Sequence, residues 1–242
     1  MPNRYGDELS MLQEIHLSQE SDSAKHLIAY GVHALRTAAF IETTRDPIMT
    51  MLSIGVEKTL KLSLGLRNVE DTGTWLPARI LKNEYRHDLI KMEQLLREVI
   101  RANLEHATHR SFVDEALAAV DADPVWPHLV AALNRYGQEG RFYNLDALAD
   151  NPQREESPST YWDVAERAAL DDDDDLHALF QQMLEDFSLS AEFYKRLNVR
   201  MADSLRRFRD LVGLAAVQGV LGERAKAWGH EFNTIGRQIT DA

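Results

Sequence analysis

The 242-residue sequence contains no cysteine, which excludes disulfides, thiolate metal sites and cysteine nucleophiles together. Basic residues are outnumbered, 27 Lys and Arg against 39 Asp and Glu, leaving a net charge of −12. A general nucleic-acid binder carries a broad basic face, so only a small basic site inside an acidic shell is compatible with this balance. Long apolar runs are also missing. The least polar stretch, residues 211–221, is interrupted by Gln218 and is too short to span a bilayer. The opening Met-Pro-Asn-Arg-Tyr-Gly-Asp-Glu has neither the basic start nor the apolar core of a secretion signal. These absences predict a cytoplasmic protein with no membrane association.

What is present is apolar content and helical periodicity. At 44% hydrophobic residues the chain can bury a real core. No run alternates apolar and polar residues between turns, and no internal repeat is visible, so the fold class is all-α, a helical bundle. A first helix is predicted over 23–43. Asp46 and Pro47 then suit the cap and first turn of a second helix, which runs to about Leu66. Its core face carries Ile48, Met51, Leu52, Val56, Leu60 and Leu64. Residues 68–75 read as a turn-rich connection.

A third helix follows His87, with Leu89, Met92, Leu96, Val99 and Ile100 on one stripe flanked by Leu95 and Leu104. Shorter helices are expected at 111–121 and 124–136, with Gly137 as a stop. Residues 151–158 form the best linker, and beyond it come helices near 160–170, 176–198 and 200–232. Asp171 to Asp175 fit a solvated helix start, where negative charge meets the positive end of the dipole. The division expected is an N-terminal helical arm over 1–22, a bundle over 23–150 and a helical C-terminal extension over 151–242. The apolar content of the last two helices suits a homodimer interface.

Two segments carry the motifs. Gly55-Val-Glu-Lys-Thr-Leu-Lys-Leu-Ser-Leu64 places Glu57 four residues before Lys61, the favourable order for a helix-surface pair. Glu84-Tyr-Arg-His-Asp-Leu-Ile90 opens a helix with Asp88 in its first turn. Together they resemble the core of the HEPN superfamily, whose "EKxLK" and "HDL" helices sit side by side. The resemblance covers residues 23–150 and implies a HEPN-like bundle with additional C-terminal helices. It also implies homodimers and a stress or phage-defence setting.

Active members of that family share an Arg-x(4–6)-His motif at the start of the last core helix. There the arginine stabilises the charged phosphorane and the histidine exchanges the proton, with no metal. The matching place here is Asn134-Arg135-Tyr136-Gly-Gln-Glu-Gly-Arg141-Phe142. No histidine follows Arg135 at that distance, and Arg141 cannot serve as a base. The motif lacks its proton shuttle. Arg101 with His106, and Arg224 with His230, satisfy the spacing elsewhere, though strings of this kind arise by chance among 9 histidines. A further alternative is a distant histidine, such as His87, folded against Arg135.

The loop from Arg135 to Asp146 combines Arg135, Arg141, Tyr136, Phe142 and Tyr143. Arginines clamp phosphate and aromatics stack bases, whereas in an ordinary loop the aromatics would plug the core. Glu84-Tyr-Arg-His87 has the Glu-x-x-His spacing of di-iron bundles, but no second copy exists. His106 and His109 lack a third ligand. No metal and no cofactor are expected.

The function expected is therefore a non-catalytic HEPN-like protein. Arg135, Tyr136, Arg141 and Tyr143 would bind RNA or a nucleotide, or the protein would bind a protein partner. The alternatives are a metal-independent endoribonuclease using Arg101, His106 or His87, and a dimeric interaction module without a ligand.

Overall fold

The computed structural model describes residues 9–240, with side chains to Asn233. Ser10 starts the first helix, α1 (Met11–Thr37), through a capping box. Its hydroxyl accepts from the Gln13 amide, and its own amide donates to the Gln13 carboxamide at 2.8 Å. A three-residue corner leads into α2 (Ile41–Thr72), which Gly73 ends in the left-handed conformation at φ 75°. The two helices form a tight antiparallel pair. A Cβ on Gly31 would lie 2.6 Å from Leu52, and one on Gly55 would lie 2.9 Å from Ile28.

A π-helical turn (Ile80–Tyr85) precedes α3 (Leu89–Ala102), where Asp88 caps the Lys91 amide at 3.0 Å. The chain continues through α4 (Arg110–Asp121), α5 (Trp126–Gln138) and the short α6 (Tyr143–Leu148). Past an irregular stretch come α7 (Pro158–Asp171), α8 (Asp174–Glu185), α9 (Ser190–Val217) and α10 (Glu223–Thr240). Among the described residues there is no strand, and the fold is all-α.

Several boundaries differ from the sequence expectation. α1 begins at Met11, so residues 11–22 belong to the helix predicted over 23–43; residues 1–8 of the expected arm lie outside the described residues. α2 starts at Ile41, which puts Pro47 inside the helix and leaves Asp46 as no cap. The pairing of α1 with α2 supplies the burial that offsets proline's lost hydrogen bond. Five of the six predicted core residues of α2 are buried, and Met51 is half-buried. The helix expected over 200–232 is two helices, because Gly219 (φ 89°) and Gly222 (φ 101°) turn the chain between α9 and α10. Of the five aspartates, Asp173 caps α8 by accepting from the Leu176 amide at 2.9 Å.

Among the described residues, α9 and α10 turn most of their apolar side chains into the chain's own core. Leu197, Met201, Leu205, Phe208 and Leu211 of α9 are buried, as are Trp228 and Phe232 of α10. α9 packs on α1, α4 and α7, and α10 packs on α1 and α9. Among the described residues most of the apolar content of α9 and α10 is buried within the chain, and one core cluster runs through residues on both sides of position 150.

Candidate functional site

The turn between the π-helical segment and α3 is conformationally costly. Arg86 sits at φ 47°, ψ −115°, a region that costs a residue with a Cβ about 1–3 kcal/mol. Three contacts hold it there. The Arg86 amide donates to Leu81 O at 3.1 Å, Lys61 Nζ donates to Arg86 O at 2.6 Å, and Leu89 N donates to Asn134 Oδ1 at 2.8 Å. Lys61 also donates to Glu57 Oε1 at 2.7 Å, closing the predicted i, i+4 pair on α2.

Glu57 is the pivot. Its two carboxylate oxygens lie 3.0 and 3.1 Å from His87 Nδ1. A carboxylate only accepts, so Nδ1 carries the proton and the neutral ring keeps its lone pair on Nε2. That nitrogen has no protein partner among the described residues, and the His87 side chain is 54% exposed. The two segments that carry the family resemblance therefore touch through Glu57 and His87.

Across from this turn stands the end of α5. Arg86, His87 and Asp88 face Gln138 and Glu139 over a polar cleft of about 320 Å³. The Arg86 side chain is exposed and has no protein partner among the described residues. The cleft thus offers one free guanidinium and one imidazole oriented by a carboxylate, lined also by the Asp88 and Glu139 carboxylates and the Gln138 carboxamide.

The other sequence candidates take different places. Arg135 is buried, its side chain 5% exposed. Its Nε donates to Glu156 O at 2.8 Å and its Nη2 to Gln153 Oε1 at 2.5 Å. Tyr136 is also buried, its hydroxyl 2.6 Å from Thr50 Oγ1 and 3.2 Å from Asp46 Oδ2. Burial, with the negative charge of Asp46 added, holds this phenol above its ordinary pKa despite the Thr50 contact. Arg141 is exposed and lies over the Phe142 ring at 5.0 Å, and Tyr143 opens α6 half-buried.

Arg101 is bound to both oxygens of Asp121, at 2.6 and 2.7 Å. Burial raises the Asp121 pKa, but hydrogen bonds from Arg101 and Arg97 outweigh it and hold the carboxyl below its ordinary value. His106 lies exposed beside Glu105, at 3.8 Å, with no bond to Arg101. Arg224 is paired with Glu14. Among the described residues no three His, Asp or Glu side chains converge as metal ligands, and no helix is long and apolar enough to cross a membrane.

The sequence alone does not mark Gln138, Glu139 or Gln153. Arg86 was visible only as the neighbour of His87, and nothing local signals that the chain returns at 153–156 to cover Arg135. Comparison with protein-family models, with curated proteins and with solved structures gives no match.

Proposed function

We propose that this chain is a HEPN-like helical protein that binds the phosphate of an RNA or a nucleotide, without cleaving it, in the cleft between the Arg86–Asp88 turn and the end of α5. The observation that carries the reading is the separation of the arginines from the histidines. Arg135 is buried against residues 153–156 and Arg101 is tied to Asp121. Arg86 and His87 are left facing the cleft. A guanidinium is a strong donor to phosphate oxygens, and the open Nε2 of His87 can accept from a ribose hydroxyl. Binding of a single-stranded RNA oligonucleotide, followed by fluorescence anisotropy at low salt, tests this. Arg86→Ala and His87→Ala should each weaken binding about tenfold, and Arg86→Ala should also flatten its salt dependence. No binding by the unmodified protein, or no loss in either variant, overturns the reading. The stress or phage-defence setting and the homodimer belong to the same proposal through the resemblance. Light scattering decides the latter, and a strict monomer at high concentration removes it.

The Glu57–His87 contact favours a second reading, a metal-independent endoribonuclease. Glu57 fixes Nδ1 and leaves Nε2 open, the arrangement a general base needs to take a proton from a ribose 2′-hydroxyl. Attack of that oxygen on the adjacent phosphorus would expel the 5′-oxygen and leave a 2′,3′-cyclic phosphate. Cleavage of RNA that persists in excess EDTA and disappears in His87→Ala would establish this activity. RNA left intact by the unmodified protein would eliminate it.

A further inference from the structure

Arg135 raises a question that the cleft alone does not answer. A buried guanidinium needs acceptors, or its desolvation is uncompensated. Every acceptor it has comes from three residues, Gln153, Glu155 and Glu156, of the irregular stretch between α6 and α7. The acceptors are Gln153 Oε1 at 2.5 Å, Glu156 O at 2.8 Å, Glu155 O at 3.4 Å and the Glu155 carboxylate at 3.5 Å. No core residue takes part. Apart from Arg135, the covering segment is held by Gln153, whose Nε2 donates to Glu139 O at 2.9 Å and to Asp146 Oδ2 at 2.5 Å. It is also held by the Asn151 amide, which donates to Asp146 O at 2.9 Å. The segment's residues are exposed apart from Gln153 and Ser157, which are half-buried, and it contains no helix or strand. It begins after Asp150, a residue with a Cβ at φ 56°, and ends at Ser157, which caps α7.

We infer that residues 151–157 are a strap that masks Arg135, and that a phosphate ligand in the cleft displaces the strap and takes Arg135 as a second anchor. The inference rests on the proposed phosphate site. Gln153 makes the mechanical link, since its Nε2 donates to the carbonyl of Glu139 at 2.9 Å while its Oε1 holds Arg135. Glu139 lines the cleft. Glu139 caps the end of α5, and its amide donates to Arg135 O. Neutral carbonyl and amide oxygens supply most of the strap's contacts. Phosphate oxygens satisfy the same donors with a full charge, and they repel the Glu155 carboxylate. Strap release and ligand binding are then reciprocally coupled.

The test compares the unmodified protein with Gln153→Ala/Glu155→Ala, using a single-stranded RNA oligonucleotide as the probe. The loosened variant should bind about tenfold more tightly. Adding Arg135→Gln should abolish the gain. Amide exchange over 151–156 in the unmodified protein should accelerate when RNA is bound, a readout that does not depend on any variant folding. Equal affinity of the loosened variant, or slower exchange of the strap in the complex, overturns the strap. If Arg86→Ala and His87→Ala abolish binding while the strap variants change nothing, the cleft stands and the strap falls. If strap loosening strengthens binding while the cleft variants leave it intact, the strap stands and the cleft reading falls. Absence of binding by both the unmodified and the loosened protein rejects both.

Discussion

Asp123 and Glu166 are both largely shielded carboxylates, and their surroundings push them in opposite directions. Asp123, 1% exposed, receives hydrogen bonds from Arg200 and Arg207 at 2.8 and 2.7 Å. Burial raises its pKa, but bonds from Arg200, Ser204 and Arg207 outweigh it and hold the carboxyl below the ordinary 3.8. The folded state therefore binds this proton less tightly than the unfolded state. The resulting stability is present above pH 3.8 and is lost as pH falls through the depressed value. Asp123→Asn removes one of the two carboxylates that hold Arg200, which keeps Asp172. It also removes the carboxylate that holds the partly exposed Arg207, and should cost about 1–3 kcal/mol in urea unfolding at pH 7. Glu166, 17% exposed, lies 3.6 Å from Arg45, while Asp163 holds the same guanidinium at 2.9 Å. Burial dominates there and raises its pKa above the ordinary 4.5, in spite of Arg45 and the Trp162 indole. Here the folded state binds the proton more tightly, so stability falls as pH rises from 4.5 through the raised value. Glu166→Gln should accordingly stabilise the fold at pH 8 by on the order of 1 kcal/mol, read as a higher Tm, and have a smaller effect at pH 4. Equal shifts at the two pH values would contradict the assignment.

At the level of elements, the crossing of α9 and α10 depends on two glycines. A Cβ on Gly229 would lie 2.7 Å from the Ala216 Cβ and 2.9 Å from the Val217 amide, and one on Gly213 would meet Asn233. Gly229→Ala should push the helices apart at a cost of about 1–3 kcal/mol. Hydrogen exchange should then quicken over 223–233, well away from the cleft. This crossing also marks a limit of the sequence. Apolar spacing continues from one helix into the next, so a single helix over 200–232 was the natural reading, although Gly219 and Gly222 stood in it as available stop signals. Where periodicity met a capping side chain the reading came close, as for α3 after Asp88 and α7 after Ser157. The site was legible in part. Glu57 with Lys61 and His87 with Asp88 stood out in their own segments, and helix packing brings them together. The fate of Arg135 was not legible, because its partners lie about 20 residues later in a stretch without periodicity.

The molecule as a whole is held by contacts that ignore the expected boundary at 150. Trp126 of α5 stacks on Phe208 of α9 with ring centroids 4.5 Å apart. Its indole also donates to the buried Glu93 of α3 at 2.9 Å. Asp123, just before α5, draws both its arginines from α9. Trp162 of α7 is fully buried, and α7 packs on α5. Removing everything after Asp150 would expose the Trp126 face and leave the Asp123 carboxylate unpaired. It would also strip α9 and α10 from α1, whose Ala24, Ile28 and Val32 are buried. The residual helices would keep their periodicity but not a closed core. A fragment ending at Asp150 should therefore retain helical circular dichroism without a cooperative unfolding transition, and should bind a dye for exposed apolar surface. The intact chain should unfold in one step, seen alike by tryptophan fluorescence and far-UV circular dichroism. A fragment that unfolds cooperatively would mean that residues 9–150 are an independent unit and that α9 and α10 merely lean against it.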